Sequence, residues 1–441
     1  MTAYLLERAW LRDRFRDDVL VEVEDGRFTS VTPGADPQRA IPVRGLVVPG
    51  LANTHSHAFH RALRGRTQRE RGTFWTWRDQ MYDVAARLDP STYLALARAT
   101  YREMAAAGIT CVGEFHYLHH QPDGTPYSDP NEMGLALVQA AREAGIRLTL
   151  LDTLYLSSGF GVAPEGAQVR YSDGSAGAWA SRVDALSVEG HARVGAAVHS
   201  VRAVPASELG AVASWVGDRP FHVHVSEQVA ENDACLAAYD VTPTRLLADH
   251  GLLGARTSLV HATHLTDDDI GLIGDAGAYT SFCPTTERDL GDGIGPSRRL
   301  HDAGARLTLG SDSHAVIDPF EEMRALELDE RLATQSRGHW HAAELLTAAT
   351  TDGHASLGWD DAGAIEVGRR ADLVVVDPAS PRTAGAGRDE GAIVFAASAE
   401  DVQRVMADGR WVVEEGQRYD IGLELEAAIT HVWEEEAVTT P

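Results

Sequence analysis

Eight short apolar runs, each followed by a longer stretch with helical punctuation, occupy the middle of the chain. They are "GLVVPGLANTHSH", "ITCVGEFHY", "RLTLLDTLY", "RVGAAVHS", "RPFHVHVSE", "TSLVHATH", "AYTSFCP" and "RLTLGSDS". Strands this apolar must be covered by helices on the outside, and eight βα units in series close on themselves more readily than they form an open sheet. The spacing therefore predicts an α/β chain built on a (β/α)8 TIM-type barrel. The intervening helices carry ordinary signals. "DPSTYLALARATYREMAAAG" has Asp89 as its cap, Pro90 in the first turn and Gly108 past its end, and "DPNEMGLALVQAAREAG" repeats the pattern up to Gly145.

The two ends are written differently. "AYLLERAWL", "DVLVEVEDGRFTSV" and "RGLVV" alternate as half-buried strands, and "GAIEVGRRADLVVVDP" and "RVMADGRWVVEEG" return to that pattern near the other end. Both ends are expected to form one small β-sandwich domain around the central barrel, although two unrelated hairpins would also fit this text. The expected divisions are residues 1–47 and 363–420 for the small domain, 48–362 for the barrel and 421–441 for an acidic, solvated helical tail.

Composition removes several functions. A net charge of −26 would repel nucleic acid and anionic membranes, so neither is an expected partner. It would also repel an anionic substrate, unless particular arginines reverse the field locally. The chain has no lysine; all 39 cationic side chains are arginine. A Schiff-base lysine, a P-loop lysine and a carbamylated-lysine bridge between two metals are thereby impossible. Cys111, Cys235 and Cys283 form no paired spacing and read as buried, reduced thiols. No apolar run is long enough to span a bilayer, and "MTAYLLERAWLRDRFRDD" is too charged for a secretory signal, so a cytoplasmic setting is expected.

Nearly every barrel run ends in polar or ionisable residues, at the end of the strand where such barrels keep their sites. His55 and His57 are two apart, so on an extended segment their imidazoles face the same way. His222 and His224 share a face on the fifth run, and Glu227 lies just past its end. The sixth run offers His261 and His264, and the eighth offers Asp312 and His314. Three histidines and an aspartate suit one divalent ion, Zn2+ above all, with Fe2+ and Mn2+ tolerable. Arg78 in "FWTWRDQMY", Tyr117 in "EFHYLHH", and His199 and Arg202 in "VHSVRAV" are placed to meet a substrate, and two arginines suit a dicarboxylate.

The pattern H-x-H, H-x-x-E, H and D on strands one, five, six and eight resembles the one-metal deaminase branch of the amidohydrolase superfamily. The resemblance implies His55, His57, His224 and Asp312 as metal ligands, with Glu227 and His261 as an acid–base pair and Asp312 sharing the proton traffic. His222, His264 and His314 are then left as structural histidines. Seven segments narrow the resemblance to the formimidoylglutamate deiminases: "HSHAFHRA", "FWTWRDQMY", "EFHYLHHQPDG", "HSVRAV", "VHATH", "CPTTERDLGDGI" and "GSDSH". Membership there implies hydrolysis of the formimino group of N-formimidoyl-L-glutamate to N-formyl-L-glutamate and ammonia, in a homodimer, with Arg78, Tyr117, His199 and Arg202 holding the substrate. His60 stands where that family usually has glutamine. It offers one hydrogen bond in place of a paired donor and acceptor, which opens the way to a related substrate such as a formimino-aspartate. Two other readings compete. One is deamination of a heterocycle such as guanine or cytosine by the same metal set; the other is a scaffold that no longer catalyses.

Overall fold

The computed structural model describes residues 1–36, 39–69, 71–72, 74–414 and 417–434. Its opening strands are β1 (Thr2–Leu11), β2 (Arg14–Glu24), β3 (Arg27–Thr32) and β4 (Ile41–Pro49). The strands near the other end are β13 (Leu373–Val376), β14 (Val402–Ala407) and β15 (Arg410–Val413). All seven join one mixed sheet in the order β15-β14-β13-β4-β1-β2-β3. The two ends therefore share a sheet, and the alternative of unrelated hairpins falls away. The joint is β4, parallel to β1 on one side and antiparallel to β13 on the other. Its alternation serves two cores. Val43 and Val47 pack with Leu6, Val21 and Leu373 in the sheet's own cluster, whereas Leu46 and Val48 face the large core of the barrel.

From β4 the chain enters the barrel directly. A Cβ on Gly50 would lie 2.2 Å from Thr110 Oγ1 and 2.7 Å from Asp372 Cβ, so only glycine lets the strand pass from one sheet to the other. Beside this crossing the buried guanidinium of Arg147 pairs with Asp372, and also with Asp408 at 2.9 Å, tying the barrel floor to the small sheet.

The barrel strands are β5 (Leu51–Ser56), β6 (Ile109–His116), β7 (Arg147–Leu154), β8 (Ala192–Val198), β9 (Phe221–Val225), β10 (Thr257–His261), β11 (Tyr279–Phe282) and β12 (Arg306–Leu309). They run in parallel, each bonded to its neighbour in chain order, and each corresponds to one of the eight runs read from the sequence. β6 and β7 are buried along their whole length, as strands covered on both faces must be. Asp89 caps the helix Pro90–Ala106 as expected, accepting from the Thr92 amide. The next helix starts later than its Asp-Pro signal suggests. It spans Glu132–Ala144, because Asp129 spends its carboxylate on the Asn131 amide in a preceding turn. Helix Arg418–Trp433 covers part of the predicted tail; residues 435–441 lie outside those described.

The backbone bonds of the seam between β12 and β5 lie at its upper end. There the amides of Ser311 and Asp312 donate to His55 O at 3.2 and 3.0 Å, and the His57 amide donates to Asp312 O at 3.3 Å. Asn53 completes the join, its Oδ1 accepting from the Ser311 amide at 2.9 Å and its Nδ2 donating to Ser311 Oγ at 2.6 Å. Gly310 lets the two strands touch: a Cβ there would sit 2.7 Å from His55 Cβ and 2.9 Å from Cys283 Sγ. Gly310→Ala should overpack the seam and lower stability by about 1–3 kcal/mol, read as a shifted denaturation midpoint; an unchanged midpoint would mean that the seam yields freely.

Candidate metal centre and cleft

His55 and Ser56 end β5, and the alternation works as the sequence implied. The imidazoles of His55 and His57 turn to the barrel axis, while Ser56 Oγ turns away and donates to Glu114 Oε2 at 2.6 Å. His224 lies in β9 with its neighbours Val223 and Val225 in the apolar core. Asp312 follows β12 at φ +41°, a left-handed conformation that aspartate tolerates better than most residues. One donor atom from each of His55, His57, His224 and Asp312 lies within 4.8 Å of the other three, and all four residues are buried. His55 Nε2 and His57 Nε2 are each 3.3 Å from Asp312 Oδ1, and His55 Nε2 is 3.0 Å from His224 Nε2.

The hydrogen bonds behind these rings decide what they can hold. His57 Nδ1 is 3.0 Å from Phe115 O and His224 Nδ1 is 2.8 Å from His199 O. A carbonyl oxygen only accepts, so both Nδ1 atoms carry the proton and both Nε2 atoms of the neutral rings present lone pairs. Burial drives all three imidazoles well below their ordinary pKa, with neighbouring histidines adding to the shift, so the rings are neutral. The His57 Nε2 lone pair thus faces a carboxylate oxygen with no proton between them. A cation resolves that opposition. Three imidazole nitrogens and one carboxylate oxygen are a fitting donor set for a single divalent ion, and the lysine-free chain has no side chain for a carbamate bridge to a second. Another group, His116, His119 and Asp152, also gathers donor atoms. There, however, the Arg182 guanidinium already neutralises Asp152 through bonds of 2.8 and 2.9 Å.

Glu227 and His261 stand beside the cluster. His261 Nε2 lies 3.8 Å from Glu227 Oε1 and 3.8 Å from Asp312 Oδ2, while His261 Nδ1 approaches Glu287 Oε1 at 3.4 Å. Ser226, His261 and Ala262 all have positive φ, at 52°, 68° and 49°. Strained backbone thus collects where the strand ends turn into the site. Burial raises the Glu227 carboxyl above its ordinary range; His261 and Arg202 oppose the shift, and Asp312 and Glu287 add to it. Burial works against the His261 imidazolium, but Glu227, the Glu287 hydrogen bond and Asp312 outweigh it and push its pKa up to about 10. A divalent charge beside Asp312 would pull against that proton.

The cleft above the cluster is lined by His57, His224, Glu227, His261 and Asp312. The same lining includes His60, Arg78, Tyr117, His199 and Arg202, the five residues the sequence placed against a substrate, with the rings of His60, Tyr117 and His199 within 4.5–5.3 Å of those of His57 and His224. His55 is fully buried behind its neighbours. His60 Nε2 meets Tyr117 OH at 3.1 Å, and its Nδ1 has no partner among the described residues. His314 bonds Ser56 Oγ and Ser311 Oγ, His264 bonds Asp292 O, and His222 is buried below the site. All three lie outside the cleft lining. Reading the sequence missed Glu231 and three tyrosines of the lining, Tyr82, Tyr155 and Tyr171, and also Glu287, which stands behind His261. Tyr155 had a signal, as the polar last residue of "RLTLLDTLY". Glu287 sits in a segment quoted for resemblance but not read for chemistry. Tyr171 had no local signal.

A closed parallel barrel with a His3Asp cluster at the carboxyl ends of its strands defines a metal-dependent hydrolase. The chain belongs to the amidohydrolase family, which it matches over residues 46–412. It is similar to a formimidoylglutamate deiminase of Pseudomonas aeruginosa, 38% identical over 435 residues that cover 95% of this chain and 96% of that one. It is also similar to a 5-methylthioadenosine/S-adenosylhomocysteine deaminase of Natronomonas pharaonis, 28% identical over 409 residues, covering 90% and 88%. Among solved structures, an amidohydrolase from Brucella melitensis superposes with a TM-score of 0.89 at 32% identity, over 98% of this chain and 100% of that one. The cluster is consistent with metal-dependent hydrolysis of an amidine or amide group. Among the described residues no helix is long and apolar enough to cross a membrane.

Asp312 is the one anionic donor of the four. Asp312→Ala should therefore leave the protein substoichiometric in metal after dialysis against zinc, with its far-UV circular dichroism retained. Full metal content in that variant would remove the cluster from consideration.

Proposed function

We propose that this protein hydrolyses the formimino C=N group of N-formimidoyl-L-glutamate, giving N-formyl-L-glutamate and ammonia. The observation that carries the reading is Arg202. It lines the same cleft as the His/Asp cluster, and among the described residues it has neither a hydrogen bond nor an ion pair, in a chain of net charge −26. Glu227 and Glu231 feel its charge but make no hydrogen bond or salt bridge with it, so its donors are left for a carboxylate brought by a ligand. Arg78 lines the same cleft, its guanidinium 5.3 Å from the centre of the Tyr82 ring. Further support comes from the similarity to the Pseudomonas deiminase along nearly the whole chain.

In this reading His55, His57, His224 and Asp312 would hold one divalent ion, most suitably zinc, whose chemistry when bound would be to acidify water. Glu227 accepts the proton of that water and delivers it to the departing nitrogen. Burial suits it to the first half of the exchange, because a carboxylate raised above its ordinary range takes up a proton more readily. His261 donates from Nε2 to the oxygen that becomes negative as the carbon turns tetrahedral, and Glu287 behind it supports the positive ring. In balance, water adds across the C=N bond, the C–N bond to the terminal nitrogen breaks, and ammonia leaves with the proton that Glu227 carried. Arg78 and Arg202 bind the two carboxylates, with Tyr117, His199 and His60 shaping the wall between them. The place of His60 where glutamine is usual makes chain length the open choice within this class, so the formimino-aspartate analogue belongs in the same assay.

Ammonia release from N-formimidoyl-L-glutamate, its aspartate analogue and guanine, by zinc-loaded protein, tests the reading directly. Release from guanine alone would overturn it in favour of a heterocycle deaminase. Glu227→Gln should reduce turnover by about 10²- to 10⁴-fold with metal content unchanged. Arg202→Gln should raise KM roughly 10- to 100-fold, the equivalent of a lost charged hydrogen bond, with a smaller effect on kcat.

A further inference from the structure

Two tyrosines in the cleft are polarised by one glutamine, and a third stands beside them. Tyr82 stands on the helix Phe74–Arg87, Tyr155 follows β7 directly, and Gln168 and Tyr171 share the 3-10 turn Gly166–Tyr171. Gln168 is buried, and its amide has one possible orientation. The backbone N–H of Glu165 points at Oε1 at 3.2 Å and can only donate, so the NH2 end faces the other way. That NH2 reaches Tyr82 OH and Tyr155 OH, both at 2.9 Å. An amide NH2 cannot accept, so each phenol oxygen accepts from Gln168 and each phenol proton is directed elsewhere. The two phenols also interact with each other. One proton can be spent between them, which leaves the other to be donated outward. Tyr171 adds a second donor: it is 1% exposed, its hydroxyl has no partner among the described residues, and its ring lies 5.3 Å from that of Tyr155. All three rings line the cleft, as do Arg78 and Arg202.

We infer that Tyr82 and Tyr155, their polarity fixed by Gln168, form with Tyr171 a subsite that donates hydrogen bonds to a carboxylate of the ligand. A carboxylate offers two accepting oxygens, whereas an amide in its place offers one and turns an N–H toward a phenol proton. The arginines supply charge to this end of the cleft, and the tyrosines decide which acceptor is bound there. The inference rests on the proposed anionic substrate and adds to it the residues that read the anion.

The test is calorimetric titration of metal-loaded protein with glutarate, and with neutral glutaramide as its control. Wild type is expected to bind glutarate the more tightly. Tyr155→Phe and Tyr171→Phe keep the rings and remove one donor each, and each should weaken glutarate by roughly tenfold while leaving glutaramide little changed. Gln168→Glu would take both phenol protons for its own carboxylate and should abolish the preference. The subsite is overturned if the phenylalanine variants bind glutarate as wild type does, or if wild type does not separate the two probes. Ammonia release from N-formimidoyl-L-glutamate is scored separately. Hydrolysis with unaltered glutarate binding in the variants would sink the subsite and spare the proposed function. Loss of glutarate in the variants without hydrolysis by wild type would do the reverse.

Discussion

The barrel closes through the same backbone that carries its donor groups. The backbone bonds between its first and last strands are those that His55, His57, Ser311 and Asp312 exchange, and Thr54 Oγ1 adds a bond to Leu309 O at 2.9 Å. Closure of the sheet and assembly of the cluster are therefore one event. Around it runs a buried polar chain, in which Glu114 accepts from Ser56, Ser56 meets His314, His314 meets Ser311, and Ser311 is clasped by Asn53. Inside a dry core such a chain is stable only when its members find partners. The positive φ values at His261, Asp312 and His314 show that the backbone is bent to reach the arrangement. The rest of the barrel supplies the packing that holds these residues in conformations they would leave if free.

The cleft is organised by charge as much as by shape. Lone pairs and carboxylates are gathered around the cluster, where burial keeps the imidazoles of His55, His57 and His224 neutral and the Glu227 carboxyl raised. Arginines and phenols share the same lining. Within the proposed function, this mixture would let an anionic molecule into the cleft against the net charge of −26.

Much of this was legible in the residue order. Apolar runs with β-branched residues announce the eight strands, and alternation puts His55 with His57, and His222 with His224, on common faces. The return of half-buried strand text after residue 363 announces that the ends belong together. Less was legible where a side chain has a choice of partners. Asp129 could cap the helix after it or the turn before it, and the turn took it. Gln168 reads as an ordinary polar residue of a loop until Glu165 is seen to hold one end of its amide and two phenols the other.

The sequence alone determined the strand count, the candidate donor residues and the absence of any lysine chemistry, since these depend on local periodicity and on which functional groups exist at all. Tertiary structure decided which nitrogen of each ring bears a proton, which of nine site histidines and acids face one point, and how a glutamine aims phenol protons at the cleft. Those outcomes depend on carbonyls and hydroxyls contributed by other strands, brought within 3 Å or so only when the barrel closes.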